Sequence, residues 1–314
     1  MRGFQERDMP EIASGYLHPQ YAASLAEFGV PRELPGSGGW ILERPIPCVP
    51  FRDAMGCYPL FTCRNWSQLA ADLATLADDV ICLSVVTDPF GAYDPTQLEA
   101  CFPDRVIPFK KHFCIDLERP MEDYVQREHR RNARRALQRL QVELCEDAAA
   151  SVEDWTGLYG HLIERHGITG IQAFSRAAFS RQFLVPGFIA FRASYRGMTA
   201  GMALVYVQDT IAYVHLSACS PLGYEMDASS ALYWRVIEHC RRQGLKWLNL
   251  GAGAGVNGDG RDGLTRYKQG WSTGTRTVYF CGRIFDRGTY DRIVQAIHIS
   301  DTSYFPVYRA GEFR

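Results

Sequence analysis

Apolar residues recur along this chain in short blocks whose period switches between two and about 3.6, the spacings set by one face of a strand and one stripe of a helix. WILERPIPCVPF and YPLFTCR read as short strands with turn-type interruptions. Gln68–Asp78 carries apolar residues at 69, 70, 73, 74, 76 and 77, which predicts an amphipathic helix. It leads into VICLSVVTDPF, a β-branched run typical of a buried strand. PTQLEACF then reads as a short helix and RVIPFKKHFCIDL as another strand region. The segment before residue 40, with Pro31, Pro35, Gly36, Gly38 and Gly39, is expected to be an irregular lead-in.

At 119–141 the pattern becomes strongly basic. Pro120, Glu122 and Asp123 suit a helix start, and Arg127, Arg130, Arg131, Arg134, Arg135 and Arg139 follow on one helix. Ala133, Ala136, Leu137 and Leu140 form its buried stripe. Beyond it, VELCEDA reads as a strand, and a helix follows that Ser151 caps with Asp154 three residues on. A second helix starts at Ser175. GFIAFRASYRG, MTAGMALVYVQD and TIAYVHLSACS then alternate as three strands of an antiparallel meander, with turns at Arg196-Gly197 and Gln208-Asp209. Ala228–Gln243 is a helix that Asp227 can cap and Gly244 ends. LKWLNL is the next strand, followed by a Gly-rich loop, a short helix GLTRYKQGW and a closing strand TRTVYFCGRIFD.

Composition narrows the class. Apolar residues make up 46% and charged residues 22% of the chain, as in a globular protein with a full core, and the net charge of −1 gives no global pull toward nucleic acid or an anionic membrane. No secretory h-region opens the N-terminus, and no run approaches the ~18 to 20 apolar residues of a membrane span, so cytoplasm is the expected compartment. The ten cysteines are scattered without a C-x-x-C pair and read as reduced, mostly buried residues rather than a disulfide or metal framework.

Several motifs fail on context. Gly253-Ala-Gly255-Val-Asn-Gly258 matches G-x-G-x-x-G after a strand, but no long helix opens within it and no acidic residue ends the next strand, against a dinucleotide site. Asp259 and Asp262 lack the later glutamate of a calcium loop. The stretch GWSTG at 270–274 has the letters of G-x-S-x-G but leads from a short helix into a strand, the reverse of a nucleophile elbow. His161 and His166 are five apart, roughly 140° around a helix, which argues against joint zinc ligation. No metal site is expected.

One ordered set of motifs is more specific: Gly223-Tyr224-Glu225 through Ser230, Leu232-Tyr233-Trp234, Gly244, the strand ending Asn249-Leu250-Gly251, and Gly263-Leu264-x-x-Tyr267-Lys268-x-Gly270-Trp271. In this order the set resembles the FemAB-like group of the GNAT acyltransferase superfamily, whose signature G-L-x-x-F-K-x-x-F the last piece is similar to. HFCIDL followed by REHRRNARRAL looks like that family's passage into its second domain. The similarity covers roughly 112–285, and the strand leading to VVTDPFG extends it more weakly upstream.

The resemblance implies an α/β fold of tandem GNAT-like domains, each a mixed, largely antiparallel sheet flanked by helices, with residues 1–120 and 121–314 as the two domains. It implies direct attack of an amine on a thioester or ester carbonyl, which requires a held donor phosphate, a stabilised oxyanion and removal of one proton. The helix start with Asp227, Ser229 and Ser230 is the natural anion site, although SPLGYEMDASS has only Gly223 where the usual GNAT pyrophosphate loop has closely spaced glycines. Arg130 and Arg134 offer guanidiniums to the same phosphates. Lys268 matches the family lysine and suits oxyanion or phosphate stabilisation. His215 is one choice of base and Glu225 the other; Tyr213 and Tyr279 are further donors, and Tyr267 and Trp271 pack the short helix down. Each residue also has a structural reading: helix cap, solvated lysine, core histidine, basic surface.

The expected function is acyl transfer from acyl-CoA or a similar thioester to an amine of a small molecule, peptide or saccharide precursor, with no permanently bound cofactor. Aminoacyl-tRNA is the alternative donor, which would make the Arg-rich helix a phosphate surface. A non-catalytic binding module on the same fold is the rival class. At least two of His215, Glu225 and Lys268 converging on one pocket would favour the enzyme.

Overall fold

The meander anticipated between 188 and 218 lies toward one edge of a single eleven-stranded sheet in the computed structural model, which describes residues 13–254, 262–297 and 302–312. Strands β1 (Val30–Leu34), β2 (Gly39–Pro45) and β3 (Arg52–Gly56) form antiparallel neighbours at one edge. β4 (Cys82–Val86) runs parallel to β3, and β5 (Arg105–Asp116) is the long strand near the middle. The other half holds β6 (Gln141–Leu144), β7 (Phe188–Tyr195), β8 (Met198–Gln208), β9 (Ile211–Cys219) and β10 (Trp247–Gly251). The last strand, β11 (Gly274–Ile284), completes the order β1-β2-β3-β4-β11-β5-β10-β9-β8-β7-β6. Thus β11 returns to lie between β4 and β5, and the sheet runs unbroken past residue 120 through the antiparallel β5–β10 pair.

Helices cover both faces. On one lie α5 (Arg127–Leu137) and α9 (Ala228–Arg242), preceded by the short α4 (Met121–Tyr124) and α8 (Pro221–Glu225). Ala133 and Ala136 of α5 and Ala231, Leu232 and Val236 of α9 are buried with Phe113, Ile115, Leu248 and Leu250 of the central strands. On the other face, α6 (Val152–His166), α7 (Arg176–Gln182) and the N-terminal α1 (Pro19–Ser24) pack Trp155, Phe179, Tyr21 and Tyr206 into a second core. Helices α2 (Leu69–Ala74) and α3 (Pro95–Cys101) close the β1–β4 half, α10 (Gly263–Gln269) follows β10, and α11 (Arg287–Ala296) follows β11.

Several local expectations change. The lead-in contains α1 and β1, because the proline and glycine positions serve as a helix start (Pro19) and a tight β1–β2 connection rather than a coil. YPLFTCR forms no strand beyond one bridge from Phe61 to Thr87. The basic helix is broken at Val125–Gln126, where the Gln126 N–H donates to the Gly270 carbonyl at 2.9 Å instead of continuing a helix ladder. Ser151 does not cap α6 through its side chain; it ends a turn of 3-10 helix, and Asp154 instead accepts from Arg192 and Thr199. Asp227 does not cap α9 either. Its backbone is left-handed (φ 56°), and its carboxylate accepts from Arg135 at 2.7 Å, tying α5 to the start of α9. Ser175 does cap α7, accepting from the Ala178 N–H. Eight of the ten cysteines are buried.

Candidate functional site

The parallel pairing of β9 with β10 lasts only from Ile211↔Trp247 to Tyr213↔Asn249. Past that point β9 continues to Cys219 beside β8 alone, while β10 bulges against β5 between Asn249 and Gly251. The sheet therefore splits into a wedge, and the β9 edge that faced β10 offers main-chain groups that no strand among the described residues uses. Buried polar side chains line up across this seam.

Asp88, in the loop after β4, is buried and accepts from the Phe90 N–H (2.9 Å) and the Tyr213 hydroxyl (2.9 Å). Burial pushes its carboxyl up to about 6, against the opposing pull of these hydrogen bonds and of the Arg276 charge nearby. One strand over, Asn249 Oδ1 accepts from the Gly251 N–H (2.8 Å) and lies 3.1 Å from His112 Nδ1 on β5. A carbonyl oxygen only accepts, so Nδ1 carries the His112 proton and Nε2 is left with its lone pair. Burial and the neighbouring Lys268 and Lys110 charges push His112 down to about 3, so it is a neutral imidazole at any physiological pH.

Lys268, on α10, completes the row. Its ammonium donates to the Ala252 carbonyl at 2.7 Å, and burial followed by the Lys110 charge pushes its pKa down to about 7 while Asp262 pulls the other way. Gly251 is left-handed (φ 77°), and a Cβ there would stand 3.2 Å from the ammonium, so glycine is what lets the strand end fold back under the lysine. Asp262 caps α10, accepting from the Thr265 N–H at 2.9 Å and its hydroxyl at 2.6 Å. Trp271 is fully buried and Tyr267 packs against Tyr233, as the sequence suggested. Asp259 and most of the Gly-rich loop lie outside the described residues.

The other expected site residues are placed differently. His215 is the unpaired residue of a bulge, since Leu204 pairs with Leu216 and Val205 with Val214. Its ring sits among Tyr16, Tyr21, Phe174 and Tyr206. Nδ1 is 3.1 Å from the Tyr16 hydroxyl and Nε2 3.3 Å from Gln182 Oε1. Both nitrogens are engaged, and burial lowers the ring to about 3, which leaves no nitrogen for an incoming amine proton. His215 is thus a core histidine fastening the N-terminal segment to β9. Glu225 is exposed at the end of α8 and is no buried base. Of the three residues whose convergence would favour an enzyme, only Lys268 faces the seam; the partners actually there are Asp88, Tyr213, His112 and Asn249.

At the start of α9, Ser230 is buried and Ser229 half-buried, with the Tyr267 phenol beside both hydroxyls. Arg134 is exposed on α5, whereas Arg130 donates to the Glu122 carbonyl at 3.1 Å. The Tyr279 ring packs against Tyr93. Asp88, His112 and Asn249 all fall in segments with a family-like appearance, VVTDPFG, HFCIDL and Asn249-Leu250-Gly251; their polar type in otherwise strand-like stretches was the available signal. Among the described residues, no group of three or more metal-ligating side chains is assembled, and no helix is long and apolar enough to cross a membrane.

Residues 125–269 match the acetyltransferase (GNAT) domain family. Among solved structures, FemX aligns over 88% of this chain and 93% of its own at 12% identity, with a TM-score of 0.63. The C-terminal domain of a putative lysylphosphatidylglycerol synthetase from Agrobacterium fabrum aligns over 88% and 90% at 14% identity, TM-score 0.58. L-PGS from Bacillus licheniformis aligns over 87% and 94% at 12% identity, TM-score 0.57. These likenesses are of fold. No curated protein matches the sequence.

Proposed function

We propose that this chain, in which residues 125–269 match the acetyltransferase (GNAT) domain family and whose fold is similar to that of FemX, is an acyltransferase that moves an acyl group from acyl-CoA or a similar thioester to an amine, by direct attack within the β9–β10 wedge. The observation that carries this reading is the row that runs from buried Asp88 through Tyr213, Asn249 and His112 to half-buried Lys268 where the β9–β10 pairing ends, with the carboxyl shifted up to about 6 and the ammonium down to about 7.

In this scheme the thioester carbonyl enters the wedge. Its oxygen, which becomes negative as the amine attacks, is met by main-chain N–H groups of β9 past Tyr213 and by the Lys268 ammonium. The amine loses its proton to Asp88, directly or through the Tyr213 hydroxyl. A C–N bond forms, the C–S bond breaks, and coenzyme A leaves as a thiolate that takes up a proton, so that overall one proton moves from amine to thiol. His112 and Asn249 keep the floor of the seam neutral and ordered beside the lysine. The donor phosphates are assigned to the flank between α5 and the start of α9, where Arg130, Arg134, Ser229 and Ser230 stand; Asp227 is occupied by Arg135 and serves to join the two helices.

The pH dependence follows from signs. Asp88 must be ionised to accept a proton, so activity rises through about pH 6; Lys268 must be charged to stabilise the oxyanion, so activity falls above about pH 7. The kcat/KM profile is expected to be a narrow bell between these limits. Lys268→Arg, which stays charged, should remove the alkaline limb while leaving the acid limb in place. An alkaline limb that survives in Lys268→Arg would take the lysine out of this role.

A further inference from the structure

Beside the Asp88–Tyr213 pair, the ends of β5, β10 and β11 enclose a groove of about 210 Å³ bordered by Cys114, Asp116, Arg119, Trp247, Thr273 and Arg276. Arg276 is its most unusual group. The guanidinium carbon lies 4.4 Å from the centre of the Phe90 ring and 4.7 Å from that of Trp247. Those two rings are themselves in contact, with centroids 5.8 Å apart. Stacking uses the flat face of a guanidinium and leaves the in-plane N–H fork available for an anion. Among the described residues no carboxylate is in direct ion-pair contact with it, although Asp88 is close enough to feel its charge.

The same Phe90 links this fork to the seam. Its N–H is held by Asp88, its ring lies under Arg276, and its edge meets Tyr213 with centroids 6.1 Å apart. A ligand anion at Arg276 therefore brings the atoms next to it toward the Asp88 carboxylate. The groove's own charges set the kind of anion. Arg119 and Arg276 bring two positive charges and Asp116 one negative, an excess suited to a single carboxylate and poor for a polyphosphate. Its volume is below the roughly 300–1,000 Å³ of pockets that hold drug-sized ligands, which limits the ligand part inside it to amino-acid size.

We propose that this groove is the acceptor subsite, and that the acceptor is a small amine carrying one carboxylate, of the free amino-acid class, with the carboxylate on the Arg276 fork and the amine directed at Asp88. This rests on the acyl-transfer reading for the role of the amine, while the carboxylate contact stands on the groove alone. The test separates the two. A panel of free L-amino acids is titrated calorimetrically against the whole protein without donor, beside the matching amino-acid amides and decarboxylated amines, and then assayed for coenzyme A release with acetyl-CoA.

At least one free amino acid should bind, its amide and its decarboxylated amine should bind at least tenfold more weakly, and Arg276→Gln should erase that preference. Arg276→Lys, which keeps the charge but loses the planar fork, should retain part of it and shows that any loss is not misfolding. Absence of binding by every free amino acid, or a carboxylate preference unchanged in Arg276→Gln, overturns the subsite. Carboxylate-dependent binding without acyl transfer would sustain the subsite and instead count against the acyl-transfer reading.

Discussion

Asp88→Asn is expected to lower turnover by about 10²- to 10⁴-fold, the usual worth of a positioned general base. The amide is nearly the same size, can still accept through its oxygen from the Phe90 N–H or from Tyr213, and removes only the capacity to take a proton. Donor binding should therefore be little changed and the loss should fall on kcat. The acid limb of the pH profile should vanish with it, because the group pushed up to about 6 is gone. Tyr213→Phe distinguishes the two proton routes: a small effect means the amine reaches Asp88 directly, and a loss approaching that of Asp88→Asn means the phenol relays the proton. Full activity in Asp88→Asn would move the base elsewhere.

The largest effect on stability is expected far from the seam. Asp53 of β3 is completely buried between two arginines: Arg309 holds it with two bonds, at 2.5 Å to Oδ2 and 2.9 Å to Oδ1, and Arg44 Nε stands 3.4 Å from Oδ1. Arg44 in turn donates to Glu312 at 2.6 Å, and Arg309 to the Pro45 carbonyl at 2.8 Å, so this cluster fastens the C-terminal segment against β2 and β3. Asp53→Ala leaves two largely buried guanidiniums with only the partly exposed Glu312 carboxylate between them, and breaking one side of such a buried pair costs about 3–5 kcal/mol. Glu312→Gln, at a partly exposed position, should cost only about 0–1 kcal/mol. Urea titration of the three proteins checks both figures, and equal losses in the two variants would mean the cluster is not organised around Asp53.

The order of elements between 188 and 284 was legible in the sequence because each is a local matter. Alternation marks β7 to β9, helical spacing marks α9, and glycine at 244 marks its end. The placement of Lys268 on a short helix was legible for the same reason, at a fixed distance from that helix's glycines. The base proposed above was not. His215 looks like a cleft histidine in a strand, but a one-residue bulge and two partners distant in sequence, Tyr16 and Gln182, close both its nitrogens. Asp88 looks like a turn residue before proline, and only the return of β11 between β4 and β5 sets Arg276 beside it. Likewise, Asn249 and His112 are 137 residues apart and meet because β5 and β10 pair antiparallel. α11 and the Asp53–Arg309 fastening depend on such non-local contacts too. Period and motif carry local geometry; a polar row across β9, β10 and β5 is a property of their order in the sheet.

The central claim, that a thioester donor sits in the wedge against Lys268, is tested most directly by calorimetric titration of the protein with acetyl-CoA and with coenzyme A, repeated on Lys268→Ala. Micromolar binding to the unaltered protein is expected, weakened at least tenfold for acetyl-CoA by the substitution, a difference of about 1.4 kcal/mol. No binding of either ligand, or binding that Lys268→Ala leaves unchanged, would contradict it.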